Sequence, residues 1–233
     1  MFKYSGILTV ALLQSFQSTS SICKRHDLSW PFNENTFAWK DADKFKINNS
    51  ISGDEKGNWM AKSNFQLSGH TGTHLDAPYH FVPKGWKVTD IPLSNFFSTG
   101  VKIDLSGIAS REAIVTSEHL IAWERKYRKI QKNAIILIYF DWSRYYNNRV
   151  QYLGGGTFDD YGFPSISISA AEWLVYNRSI LGIGVDTASV DLAQTTDYPT
   201  HKTFLRNKVY ILENLKIPKL LPGKMLLFGS ENV

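Results

Sequence analysis

His70-Thr71-Gly72-Thr73-His74-Leu75-Asp76-Ala77-Pro78-Tyr79-His80 is the stretch on which the reading of this chain turns. It holds three of the six histidines, at spacings of four and six, with Asp76 between the last two. Imidazole and carboxylate are the usual protein ligands of Zn²⁺ and Mn²⁺. Gly72 and Pro78 argue against one continuous helix. The segment therefore reads as a strand end or loop that turns several polar side chains toward one point. Phe65-Gln66-Leu67 alternates just ahead of it and puts His70 at the end of a strand.

Working outward, Val101-Lys102-Ile103-Asp104-Leu105 alternates as a strand. Ala134-to-Tyr139 and Ile180-to-Asp186 are nearly continuous apolar runs, as expected of strands buried on both faces. Val209-to-Glu213 is apolar until its glutamate. A helix is predicted from Ser117, with Leu120, Trp123, Tyr127 and Ile130 at helical spacing. A second starts near Ser169, read as its N-cap, with Glu172 three residues on. Asp27-Leu28-Ser29 reads as an edge strand and residues 40–60 as a polar surface loop. Gly154-Gly155-Gly156 follows no strand-to-helix pattern, so it is not a phosphate loop. No repeat, linker or domain boundary interrupts residues 22–233, so one α/β domain is expected.

Hydrophobic residues make up 43% of the 233, aromatic residues 14% and charged residues 20%, enough for a core and too apolar for disorder. The net charge of +5 is scattered, as in Arg125-to-Lys129 and Lys202-to-Lys208, with no recognition motif; no nucleic-acid partner is expected. Residues 1–21 have the layout of a signal peptide: Lys3, the apolar run Ile7-to-Leu13, then small polar residues, with cleavage after Ser20 or Ser21. That run is too short to span a bilayer of ~30 Å, so a secreted protein with no membrane partner is expected. Cys23 stands alone, which excludes an internal disulfide and a cysteine zinc site. Asn48-Asn49-Ser50 and Asn177-Arg178-Ser179 are glycosylation sequons compatible with that route. No Gly-x-Ser-x-Gly elbow exists, which argues against a serine hydrolase.

Hydrolysing an amide or ester near neutrality needs a nucleophile better than water, and a divalent metal supplies one. His70, His74 and Asp76 offer three ligands. His80 is either a fourth ligand or an unligated imidazole acting as general acid and base. A second contribution is expected downstream, from His201 and Glu213. A carboxylate ending an apolar run needs its charge neutralised, which a metal would do, unless Glu213 is simply a strand-end surface group.

At this point His-x-Gly-Thr-His-x-Asp-x-Pro-x-His resembles the signature of the cyclase-like metal-dependent hydrolases, including kynurenine formamidases (arylformamidases) and isatin hydrolase. Gly184-Val185-Asp186-Thr187-Ala188-Ser189-Val190-Asp191 is similar to the family's Gly-x-Asp-x-x-Ser-x-Asp strand and loop. Leu212-Glu213-Asn214-Leu215 is similar to its Leu-Glu-x-Leu segment. The resemblance runs from about Asp27 to Pro222. It implies a swivelling β/β/α-type domain with a mixed sheet and flanking helices, usually in homodimers. It implies one or two divalent ions, Zn²⁺ or alternatively Mn²⁺, on His70, His74, Asp76, His201 and Glu213. It makes His80 the catalytic histidine, and Trp39 or Phe32 the aromatic that helps close the pocket on a small-molecule substrate.

Two departures stand out. Ile138-Tyr139-Phe140-Asp141-Trp142 replaces the family's Leu-Arg-Thr-Gly-Trp, which is expected to alter a wall near the substrate. Gly223-to-Val233 looks unrelated to the family's glycine-rich loop and closing strand, so the final strand is expected to be missing. The expected activity is hydrolysis of an aryl formamide such as N-formyl-L-kynurenine, or a related lactam. A secreted metal-retaining binding protein without turnover is the alternative.

Overall fold

The computed structural model describes residues 8–10, 25–40, 43–222 and 224–231, with backbone alone at 8–10, 55 and 224–231. Residues 1–7, 11–24, 41–42, 223 and 232–233, Cys23 among them, lie outside the described residues. The strands are β1 (Leu8–Val10), β2 (Lys46–Glu55), β3 (Asn58–Gln66), β4 (His74–Asp76), β5 (Phe97–Asp104), β6 (Ile114–Val115), β7 (Ile135–Tyr139), β8 (Ser165–Ile166), β9 (Gly182–Val185), β10 (Tyr210–Glu213) and β11 (Lys224–Glu231). The helices are α1 (Ser117–Lys126), α2 (Arg149–Leu153), α3 (Ile168–Glu172), continued by a wider turn over Trp173–Arg178, and α4 (Pro199–Arg206).

Seven strands form one mixed sheet in the order β1-β11-β5-β7-β9-β10-β4. Strands β5, β7, β9 and β10 run parallel, while β11 and β4 pair antiparallel at the two sides. Alternation along β7 divides the core. Ile136 and Ile138 join Leu120 and Trp123 of α1, Leu174 of the wider turn after α3 and Phe204 of α4 on one face. Ile135, Leu137 and Tyr139 join Leu28, Phe96, Leu212 and Leu215 on the other. Every β7 side chain is buried, which is why its sequence is a continuous apolar run. Each such isoleucine or leucine contributes roughly 1.5–3 kcal/mol. Gly182 pairs with Tyr210 across the parallel ladder, and a Cβ there would come within 2.4 Å of the tyrosine ring.

Several expectations need correction. Residues 46–66 form a hairpin rather than a loop, turning on Lys56 (φ 53°) and Gly57 (φ 79°). This is the two-residue connection that matches strand twist. Both faces of the ribbon are largely exposed, so the polar-apolar alternation that marks a half-buried strand is absent. The final strand is present: the backbone of Lys224–Phe228 in β11 pairs with β5 and satisfies an edge that would otherwise be open. Leu8–Val10, inside the leader reading, pairs in turn with β11. Asp27-Leu28-Ser29 is in no ladder; Leu28 is buried and its carbonyl accepts from Lys216 N–H at 2.7 Å. Helix α1 ends before Tyr127, and Ile130 is buried in the following loop, its N–H donating to Glu124. The N-cap of α3 is Ser167, whose hydroxyl accepts from Ala170 N–H, not Ser169.

Candidate metal centre

Strand β4 places His74 and Asp76 two residues apart, hence on one side of the sheet. Its register with β10 sets Glu213 directly opposite His74. His201 enters from the first turns of α4, after Pro199 at the helix start. His70 comes from the turn before β4 and His80 from the tight turn Pro78–His80 after it.

Four of these side chains converge in the interior. His74 Nε2 lies 3.5 Å from Asp76 Oδ1 and 3.6 Å from Glu213 Oε2. His201 Nε2 lies 3.3 Å from Asp76 Oδ2 and 3.2 Å from Glu213 Oε1. His70 Nδ1 is 2.8 Å from Asp76 Oδ1, and the His80 ring packs 4.2 Å from the His70 ring. Ligand atoms of His74, Asp76 and Glu213 form one tight trio and those of His70, Asp76 and His80 another, with Asp76 common to both. Glu213 is 3% exposed, so it is not a surface strand-end carboxylate.

This arrangement fits a divalent ion. Tetrahedral ligands about 2.1 Å from zinc stand about 3.4 Å from one another, close to the separations of the inner four side chains. His74 Nε2 is buried without a hydrogen-bond partner, and buried Asp76 Oδ1 has only the His70 ring nitrogen 2.8 Å away. Buried polar atoms without partners are costly unless something binds them. Among the described residues, the donors are imidazole and carboxylate only, as zinc and manganese both accept.

Charge is distributed accordingly. Burial pushes Asp76 up, but His74, His201 and His70 around it hold it well below the ordinary carboxylate value. Burial pushes His201 down, and the Glu213, Asp191 and Asp76 carboxylates outweigh it, leaving His201 well above the ordinary imidazole value. The Asp76 carboxylate also raises His70. His80 goes the other way: loss of water around its ring pushes it down to about 4, so it is neutral at pH 7.

Asp191 belongs to the site, and spacing gave it no role. Its Oδ2 accepts from His201 N–H at 3.0 Å and from Nδ1 at 2.6 Å, while Oδ1 accepts from Thr200 N–H at 2.7 Å. It therefore caps α4 and fixes the His201 tautomer with Nε2 facing the cluster. The natural cap position is occupied by Tyr198, which has no capping side chain and sits in the left-handed region at φ 50°. Asp191 closes the Gly-x-Asp-x-x-Ser-x-Asp-like stretch, but its spacing to α4 carries no capping signal.

Comparison with known proteins agrees with this geometry. Residues 26–192 match the family model Cyclase, described as "Putative cyclase". The chain belongs to the cyclase family. It is 26% identical over 200 residues to a kynurenine formamidase of Bacillus cereus (strain ATCC 14579), covering 84% of each chain. Among solved structures it resembles isatin hydrolase A from Ralstonia solanacearum (TM-score 0.77, 28% identity, 85% of this chain and 81% of that one). It also resembles isatin hydrolase A from Labrenzia aggregata bound to benzyl benzoate (TM-score 0.76, 26% identity, 85% and 83%). Kynurenine formamidase and isatin hydrolase are both hydrolases acting on C–N bonds.

A cavity of about 480 Å³ opens over the cluster, walled by Trp39, Phe81, Phe158, Tyr161, Phe163 and Tyr198. Its floor includes His70, Asp76, His80, His201 and Glu213. Trp39 is thus at the pocket, whereas Phe32 is not among its walls and stacks on Phe45 at 5.6 Å. The altered strand end also sits elsewhere. Tyr139 is buried in the sheet face away from the helices, under Lys102 and with its hydroxyl donating to Asp141. The expected change in a substrate wall is therefore corrected: β7 is central and covered on both sides, so its last residues pack inward.

Proposed function

We propose that this chain hydrolyses a small aryl formamide, with N-formyl-L-kynurenine, cleaved to L-kynurenine and formate in tryptophan catabolism, as the reference substrate and an isatin-like lactam as the related one. The observation that carries the reading is the buried His74–Asp76–His201–Glu213 cluster, whose Asp76, His201 and Glu213 floor an aromatic cavity. Zn²⁺ is the ion of choice and Mn²⁺ the alternative, at one or two positions. Such an ion supplies Lewis acidity and lowers the pKa of bound water to about 7. The aromatic walls hold the substrate ring and keep bulk water from the formyl group. His80, neutral and half-open to the cavity, takes a proton from the attacking water. It then gives that proton to the aniline nitrogen as the C–N bond breaks, so that amine and formate leave. The test is turnover of N-formyl-kynurenine, a simple aryl formamide and isatin by protein loaded with Zn²⁺ or Mn²⁺, with and without chelator. No turnover of any of the three would refute the reading. A binding protein without turnover is less supported, since Tyr139 lies off the cavity and β11 completes the sheet.

The leader motivates secretion as a further part of the proposal, and Asn48 and Asn177 are both exposed. Secreted protein should begin near residue 22 and shift in mass on deglycosylation. Among the described residues, no helix is long and apolar enough to cross a membrane. A homodimer would cover the exposed Ile51, Trp59 and Phe65 of the β2–β3 hairpin. A monomeric mass by light scattering would count against it.

A further inference from the structure

Behind His74 runs a chain of buried hydrogen bonds that leads away from the cavity. His74 Nδ1 lies 2.9 Å from the Gly72 carbonyl. A carbonyl only accepts, so Nδ1 carries the hydrogen, and Nε2 is the ring nitrogen turned toward Asp76 and Glu213. The same carbonyl accepts from Asn214 Nδ2–H at 2.9 Å. The Asn214 amide is itself oriented, because its Oδ1 accepts from the Tyr152 hydroxyl at 2.9 Å. Tyr152 and Asn214 are both fully buried, and Asn214 holds the left-handed region at φ 57°. Its backbone is pinned on both sides: its N–H donates to the Thr187 carbonyl at 3.0 Å, and its own carbonyl accepts from Thr73 Oγ1 at 2.7 Å.

The alternative state is specific. A His74 ring carrying its hydrogen on Nε2 would donate to the Asp76 or Glu213 carboxylate, 3.5 and 3.6 Å away, and leave no lone pair for a metal. The Gly72 carbonyl decides between the two tautomers, and Asn214 holds that carbonyl in place. We propose that Tyr152 and Asn214 are positioning residues that, through the Gly72 carbonyl, set the His74 tautomer and thereby the metal affinity of the centre. Neither touches the cavity. The proposal rests on reading His74 as a metal ligand.

The test uses the full chain and two readouts. Zinc affinity is measured by chelator competition for the wild type, Tyr152→Phe, Asn214→Gly and the core control Ile136→Val. Glycine keeps the φ of position 214 accessible. The His74 tautomer of metal-free protein is read from imidazole ¹⁵N–¹H correlations at pH about 8.5, well above the ordinary imidazole pKa. Wild type should show hydrogen on Nδ1. Asn214→Gly should shift His74 toward the Nε2–H form, and both chain variants should bind zinc about tenfold or more weakly, with Ile136→Val unchanged. If Asn214→Gly does not fold, Tyr152→Phe, which loses only a hydroxyl oxygen, carries the comparison. Wild-type affinity in the folded chain variants, or an Nε2–H tautomer in the wild type, would overturn the positioning role while leaving the ligand reading intact. Failure of the wild type to bind zinc at all would overturn both.

Discussion

Replacing Asp191 by asparagine should weaken both the fold and the metal centre, by amounts that follow from its hydrogen bonds. The carboxylate accepts three: Thr200 N–H on one oxygen, His201 N–H and Nδ1–H on the other. An asparagine oxygen can serve only one side. Facing His201, it leaves the amide against Thr200 N–H and strands a buried donor, at a cost of about 1–3 kcal/mol. The lost negative charge at the start of α4 adds about 0.3–1 kcal/mol, more in a buried setting. A total near 2–4 kcal/mol lowers Tm by roughly 4–16 °C in a chain of this size. Looser orientation of His201 should reduce metal affinity about 10–100-fold. Thermal melts of the metal-free protein and chelator competition measure the two effects separately. A Tm within about 1 °C of wild type would refute the capping argument. Unchanged metal affinity would refute the orienting one.

His80→Ala should retain metal and lose about 10²–10⁴-fold in kcat; metal analysis beside the formamide assay checks both, and loss of metal instead would make His80 a ligand. Burial pushes the Asp186 carboxyl up to about 7 against the N–H donors of Phe140, Trp142 and Ser143. A raised carboxyl stabilises fully below its unfolded value of about 3.9 and loses that contribution as pH rises through the folded value. Between pH about 6.5 and 8.5 this removes roughly 1 kcal/mol, a Tm fall of about 2–4 °C that Asp186→Asn should flatten; a Tm rising over that range would contradict it. Gly182→Ala drives a Cβ to 2.4 Å from the Tyr210 ring and should cost about 1–3 kcal/mol by denaturant unfolding. Trp39→Ala should raise KM for an aryl formamide more than it lowers kcat, since Trp39 walls the cavity without reaching the cluster; a selective loss of kcat would count against that role.

The parallel core was legible because β7 and β9 are buried on both faces and their residues are apolar throughout. The hairpin was not, because a ribbon exposed on both faces leaves its pattern free. The closing strand was not legible either, because pairing needs only backbone groups in register, which no side-chain motif announces.

The sequence alone determined that His70, His74, Asp76 and His80 lie in one short turn-strand-turn, because four-residue and two-residue spacings leave them no room to separate. It also named His201 and Glu213, through likeness to a family. Only the tertiary structure decided that these six meet, since the β4–β10 register sets Glu213 opposite His74 and α4 brings His201 over both. It alone gave Asp191, Asn214 and Tyr152 their parts. Their parts depend on which carbonyl or N–H each faces across 10, 142 and 62 residues of chain, and no local pattern encodes that.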